Sequence, residues 1–319
     1  EGPLRPARAA YGTAEAPELQ FDSRLPLVKD SVLRAVRFTG TDGRLLGLLL
    51  QFSGHPESLG PDNTIVTADF PHYTIAALEA RYGVPVVYFS GAVGGLMTNP
   101  PEFQAPDGTV QKEGTFAFAQ AYGEAIARIF ERALAAATPL SLSPLEARAA
   151  PVFIPLANPG YRMGRAIGVL SRQAFAWIGR ADSAGAPLPA SQVEGDIALE
   201  SEVAYVRAGD LHIAGIPGEL YPELVYGQYQ SPVEPNADFP DAAIEPPVMA
   251  SLPGKQVLII GLANDEVGYI IPKRQWDDLA PFAYGRTEQQ YGEVNSVGPE
   301  VAPILMKGLQ VRVRQASRP

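Results

Sequence analysis

Apolar and polar positions alternate along parts of this chain and recur at helical spacing along others. Residues 31–39 (SVLRAVRFT) alternate with a period of two, Asp42-Gly43 supplies turn chemistry, and residues 45–52 (LLGLLLQF) form an apolar run. That pattern predicts a β-hairpin. Residues 70–82 (FPHYTIAALEARY) predict a helix, with Pro71 near its start and Gly83 as its stop. Residues 84–90 read as a buried strand. Residues 114–137 place Phe118, Tyr122, Ile126, Ile129 and Leu134 on one side of a longer helix. A second hairpin is predicted from 202–207, a Gly209-Asp210 turn and 211–216. A helix over 219–229, a Pro-rich loop over 231–254, a strand over 256–262 and a last strand over 309–314 complete the legible elements. Residues 1–30, rich in Pro, Ala and charge, read as a wrapping segment. Residues 145–200 offer only a weak helical pattern at 162–178 and a Gly/Pro/Ser-rich stretch near 181–192. There is no internal repeat.

One arrangement occurs four times: a short apolar strand runs into a loop of small and polar residues. The four are LLLQF-SGHPESLG, VPVVYFS-GAVGGLMTNP, LHIAGI-PGELYPE and VLIIGL-ANDEVGY. In α/β proteins such exits gather at one edge of the sheet and build a site there. The expected fold is α/β, a mixed sheet core with flanking helices and active-site loops at strand ends. A single catalytic domain is expected over residues 1–319.

Composition narrows the function classes. The 319 residues carry 25 basic and 35 acidic side chains, a net charge of −10, and show no basic stripe, so no nucleic-acid partner is expected. The absence of cysteine excludes disulfides, thiolate metal sites and a Cys nucleophile. It also suits a secreted or periplasmic protein, which is the expected location. No apolar run approaches the ~18 residues of a membrane span. The chain begins at Glu1 without a signal peptide, so a preceding segment is expected.

The chain has three histidines: His55, His72 and His212. His55 lies just past an apolar strand, where hydrogen-bonded structure and metal ligation are both open readings. His72 opens a helix and reads as a surface residue; His212 lies within a strand and reads as packing. Glu219 follows Pro217-Gly218 and can either cap the next helix or bind a metal. No G-x-S-x-G elbow, H-E-x-x-H helix or Walker loop is present.

Six segments occur in order: SGHPESL (53–59), TADFP (67–71), GAVGGLMTNP (91–100), IPGEL (216–220), GLANDEVGYIIP (261–272) and YGEVNSVGP (291–299). Together they resemble the motif series of the neutral/alkaline, non-lysosomal ceramidase family, from about residue 30 to the end. The resemblance implies a zinc-dependent hydrolase that cleaves an amide bond of an N-acyl, ceramide-like substrate by metal-activated water. It implies His55, Glu219 and Tyr269 as zinc ligands and Tyr291 as stabiliser of the developing oxyanion. Gly94, Met97 and Asn99 fall in the substrate-binding loop, and Asp69 is a candidate to support the ligands, or else an N-terminal helix cap. Expected partners are a small-molecule or lipid-like substrate, a membrane surface touched peripherally, and the preceding segment.

The sequence departs from that family in three places. A further zinc histidine lies upstream of the His-Pro motif in the family, and here His55 is the first histidine. Met97 stands where the family has a serine, which removes a polar contact to ceramide. Only 20 residues follow the last motif, so the C-terminal β-sandwich that the family often adds is not expected. The alternatives are an inactive, metal-stabilised binding protein of the same fold and a zinc esterase or lactonase.

Overall fold

The computed structural model describes residues 5–105, 107–227 and 231–316. The first half of the chain comprises β1 (Ala7–Glu15), β2 (Phe21–Asp22), β3 (Val32–Gly40), β4 (Leu45–Phe52), helix α1 (Asp69–Tyr82), β5 (Val86–Ser90), β6 (Met97–Thr98), β7 (Glu102–Gln104), β8 (Val110–Lys112), helix α2 (Phe116–Ala135) and β9 (Thr138–Leu140). Five of these strands form a sheet in the order β5-β4-β3-β1-β9. The β4–β5 pair is parallel and the others are antiparallel. The β3–β4 hairpin closes on Asp42, whose carboxylate accepts the Arg44 N–H at 3.0 Å, and on Gly43 with φ 82°. Thr115 caps α2 by accepting the Phe118 N–H at 3.1 Å. The apolar stripe of α2 then packs Phe118, Tyr122, Ile126 and Phe130 into one core with Leu33, Leu50 and Phe70.

The second half comprises β10 (Leu145–Pro155), α3 (Pro159–Ala166), β11 (Ala174–Ala176), β12 (Pro187–Leu188), β13 (Ile197–Ala208), β14 (Leu211–Gly215), β15 (Glu219–Leu220), α4 (Pro222–Tyr226), α5 (Val248–Ser251), β16 (Gln256–Ile260), β17 (Tyr269–Ile270) and α6 (Val301–Ala316). The larger sheet here runs β12-β11-β13-β14-β16, with β10 also paired to β13 and β14–β16 parallel. Helix α6 buries Val301, Leu305, Leu309 and Val313 in the core of this half. A third cluster joins the halves, with Tyr11, Val36 and Leu140 against Leu211 and Leu258. The Tyr11 hydroxyl donates across that seam to the Val257 carbonyl at 2.9 Å. The architecture is α/β with mixed sheets, as expected. Among the described residues no helix is long and apolar enough to cross a membrane.

Several elements differ from expectation. The wrapping segment contains β1, paired over its whole length with β3. The weak pattern at 162–178 yields only α3, which ends before Gly168 with φ 79°, and then strand β11. Strands β10 and β13 are long and pair from Leu145↔Ala208 to Pro155↔Ala198. Residues 309–314 are helical because their apolar positions extend the four-residue spacing of Val301 and Leu305. The helix expected over 219–229 shortens to α4, because Glu219 and Leu220 pair as a strand; residues 228–230 lie outside the described residues.

Candidate active site

All four strand exits converge. The Ser90 carbonyl, ending β5, accepts the Gly261 N–H just past β16, at 3.1 Å. The Gly94 N–H donates to the Leu220 carbonyl at 2.9 Å, which ties the loop after β5 to β15. Past β4 the chain reaches His55, whose N–H donates to the Met97 carbonyl at 2.9 Å. β15 and β17 pair in parallel, with Glu219 directly opposite Tyr269. Loops from both halves of the fold thus bring His55, Glu219 and Tyr269 together.

His55 Nε2 lies 3.0 Å from Glu219 Oε2. Both atoms are buried and, apart from this contact with each other, neither has a hydrogen-bond partner. The Tyr269 ring stands edge-on to His55 at 6.5 Å, to Tyr221 at 6.1 Å and to Tyr291 at 5.7 Å between centroids. Tyr291 is half exposed, and its hydroxyl accepts the Asn295 Nδ2–H at 2.5 Å. A cleft of about 470 Å³ opens beside Glu219, lined by Tyr161, Val169, Leu170, Glu266, Val267 and Val297 among others.

The charges around the site are strongly coupled. Burial disfavours the His55 imidazolium, but Glu219, Glu57 and the Val93 carbonyl outweigh it and hold the pKa above its ordinary value. Burial, with the Glu219 charge second, raises the Tyr269 phenol far above its usual range. Burial raises Glu266 to about 7; the Gly268 N–H opposes that shift, and the charges of Glu219 and Asp265 add to it.

Zinc accepts imidazole nitrogen and carboxylate oxygen, and two donors around one tetrahedral ion lie about 3.3 Å apart. The His55–Glu219 spacing and the lack of any other partner for these two buried atoms fit that requirement. Among the described residues no group of three His, Cys, Asp or Glu side chains forms a metal site.

The other sequence candidates fall in varied places. The Asp69 carboxylate accepts the Ser58 N–H at 3.1 Å, the Ser58 hydroxyl at 2.5 Å, the Leu59 N–H at 3.2 Å and the Phe70 N–H at 2.7 Å. It therefore holds the loop after His55 from the first residue of α1, where no side-chain cap bond forms, with its own φ at a strained 53°. Met97 was expected to meet substrate; it is fully buried, pairs with Asp22 in the β2–β6 ladder and serves His55 through its carbonyl. Gly94 and Asn99 are buried too, and Asn99 donates to Pro100 and Glu113. His72 is exposed. His212 is buried, stacked on Tyr205 with its Nδ1 2.6 Å from that hydroxyl. Sequence reasoning missed Glu266, which lies inside the ANDEVGY motif but was passed over for Tyr269. It also missed Arg24, whose segment shows no periodicity.

The neutral ceramidase from Pseudomonas aeruginosa superposes with a TM-score of 0.62, over 97 % of this chain and 52 % of that one, at 14 % identity. The chain has the neutral ceramidase fold. A ceramidase complexed with C2 gives a TM-score of 0.61 at 14 % identity, over 98 % of this chain and 54 % of that one. This chain spans about half the length of the ceramidases it matches. No protein-family model matches it, and no curated protein matches it. At this identity the ceramidase likeness is one of fold.

Proposed function

We propose that this chain carries the site of a metal-assisted hydrolase that cleaves the amide bond of an N-acyl, lipid-like substrate. His55, Glu219 and Tyr269 would hold zinc, with one further ligand outside these three. The observation that carries the reading is the contact of two buried donor atoms, His55 Nε2 and Glu219 Oε2, which have no other partner and face each other at the strand exits of a ceramidase fold. Bound zinc would supply Lewis acidity and lower the pKa of a water toward neutrality.

The protein's own residues do the rest. Asn295 donates to the Tyr291 oxygen, so the phenol proton is free to donate to a substrate carbonyl as negative charge develops there. One such donor is worth ~3 kcal/mol. The half-exposed phenol stands where a ligand can reach it. Val169, Leu170, Val267 and Val297 give the adjoining cleft apolar walls, which suits an amphiphile anchored at one polar end.

The test is release of fatty acid from N-acyl amines and simple esters, with zinc supplied and with chelator. The expected result is amide cleavage that chelator abolishes, from protein holding about one zinc per chain. Cleavage by metal-free protein would defeat the zinc assignment. Ester cleavage alone would move the protein to the esterase reading. Zinc binding without turnover on either class would favour the binding-protein reading.

A further inference from the structure

The segment linking β1 to β3 reaches both halves of the site. At β2, Asp22 pairs with Met97, whose carbonyl receives the His55 N–H. Two residues on, Arg24 reaches the other half. Its Nη1 donates to the Tyr291 carbonyl at 2.8 Å and to Glu293 Oε2 at 2.8 Å. Its Nη2 donates to Glu293 Oε1 at 2.6 Å and to the Gln275 carbonyl at 3.3 Å. The guanidinium also lies 5.4 Å from the centre of the Tyr221 ring, which packs edge-on to Tyr269. The Asp22 carboxylate fixes the segment itself, accepting the Arg24 N–H at 3.0 Å and the Val28 N–H at 2.7 Å.

Arg24 is 2 % exposed, and the Glu293 carboxylate paired with it is equally buried. Burying such a pair costs several kcal/mol of solvation, so it is a weak device for stability alone. What it provides is placement. Gly292, next to Tyr291, has φ 144°, and a Cβ there would fall 2.6 Å from the Tyr221 hydroxyl and 3.1 Å from Arg24 Nη1. The Tyr291 loop is laid directly on the arginine.

The geometry points to Arg24 as a positioning residue: from the segment that also braces His55, it fixes where the Tyr291 phenol stands relative to that histidine. The inference rests on Tyr291 acting as the donor described above. Lysine cannot replace the fork, because one ammonium does not span a carboxylate and two carbonyls in fixed directions.

The experiment places 3-fluorotyrosine at position 291 in the full chain and compares the parent with Arg24→Lys and Glu293→Gln. Fluorine NMR reads the surroundings of Tyr291 without any turnover. The expected result is a shifted, broadened resonance in both variants while the cooperative melting transition and zinc content persist. kcat should fall by about 10- to 100-fold, the scale of a 1 Å misplacement, with KM little changed. If Arg24→Lys does not fold, Glu293→Gln decides, since it keeps the arginine and loosens its grip, while the amide oxygen can still accept the Asp277 N–H. An unchanged resonance with unchanged kcat in a folded variant overturns the proposal. A parent without hydrolytic activity would defeat the reading of the site, while the fluorine signal would still decide what Arg24 does.

Discussion

His55, His72 and His212 differ most in what surrounds them. His55 faces the Glu219 carboxylate at 3.0 Å, His72 faces solvent, and His212 is satisfied by Tyr205. His55→Ala and Glu219→Ala are therefore expected to lose bound zinc and activity, and His72→Ala and His212→Ala to keep the metal. Elemental analysis alongside circular dichroism checks this, and zinc retained in His55→Ala would sink the ligand assignment. His212→Ala should instead cost about 1–3 kcal/mol of stability through its broken buried bond. Glu223 gives a pH prediction. Burial, reinforced by Asp22 and opposed by Arg24, raises its carboxyl to about 8 from an ordinary 4.5. The folded protein keeps that proton while the unfolded chain releases it, so stability falls as pH rises from 4.5 to 8. The loss is on the order of 4 kcal/mol. Glu223→Gln copies the protonated form. It should match the parent in urea denaturation near pH 4.5 and exceed it by several kcal/mol at pH 8. Equal pH slopes for the two proteins would refute the assignment.

At the scale of elements, helices with a chemical start or stop were readable in the sequence. The Gly83 stop and the apolar stripe of residues 118–134 placed α1 and α2 within two residues of their bounds, and Thr115→Ala, which removes the α2 cap, should lower stability by about 1 kcal/mol in thermal melts. Strand β1 was not readable. Its Ala9, Ala10 and Gly12 have little β propensity, and they are there because α2 lies close above them: a Cβ at position 12 would meet the Ala133 carbonyl at 1.9 Å. Packing chose small residues where local preference would ask for branched ones. Residues 309–314 failed for a different reason, because three apolar residues at a spacing of two also fit a helix whose earlier turns lie outside the window. The site was more legible than the strands that carry it. His55, Glu219, Tyr269 and Tyr291 each lie in a short motif at or beyond a strand exit, and the structure draws all four together. Arg24 was invisible because its partners lie 251 to 269 residues away. No window along the chain contains both ends of those bonds.

In the molecule as a whole, the candidate site straddles the seam between two sheets, with His55 supplied by one and Glu219, Tyr269 and Tyr291 by the other. Tyr11 supplies one of the hydrogen bonds across that seam, so Tyr11→Phe should cost about 1 kcal/mol by urea denaturation. Mild denaturant is expected to abolish activity before circular dichroism changes. Coincident midpoints would show that seam and sheets melt as one. The pairing of Glu219 with Tyr269 bears on how individual molecules fail. That ladder is two residues long on each side, and a slip of one position sets Gly268 or Ile270 opposite Glu219, neither of which has a side chain able to bind a metal. No halfway register exists. Damage there would sort the protein into competent and dead copies, so a titration of active sites would show a reduced fraction working at full speed, not a whole preparation slowed.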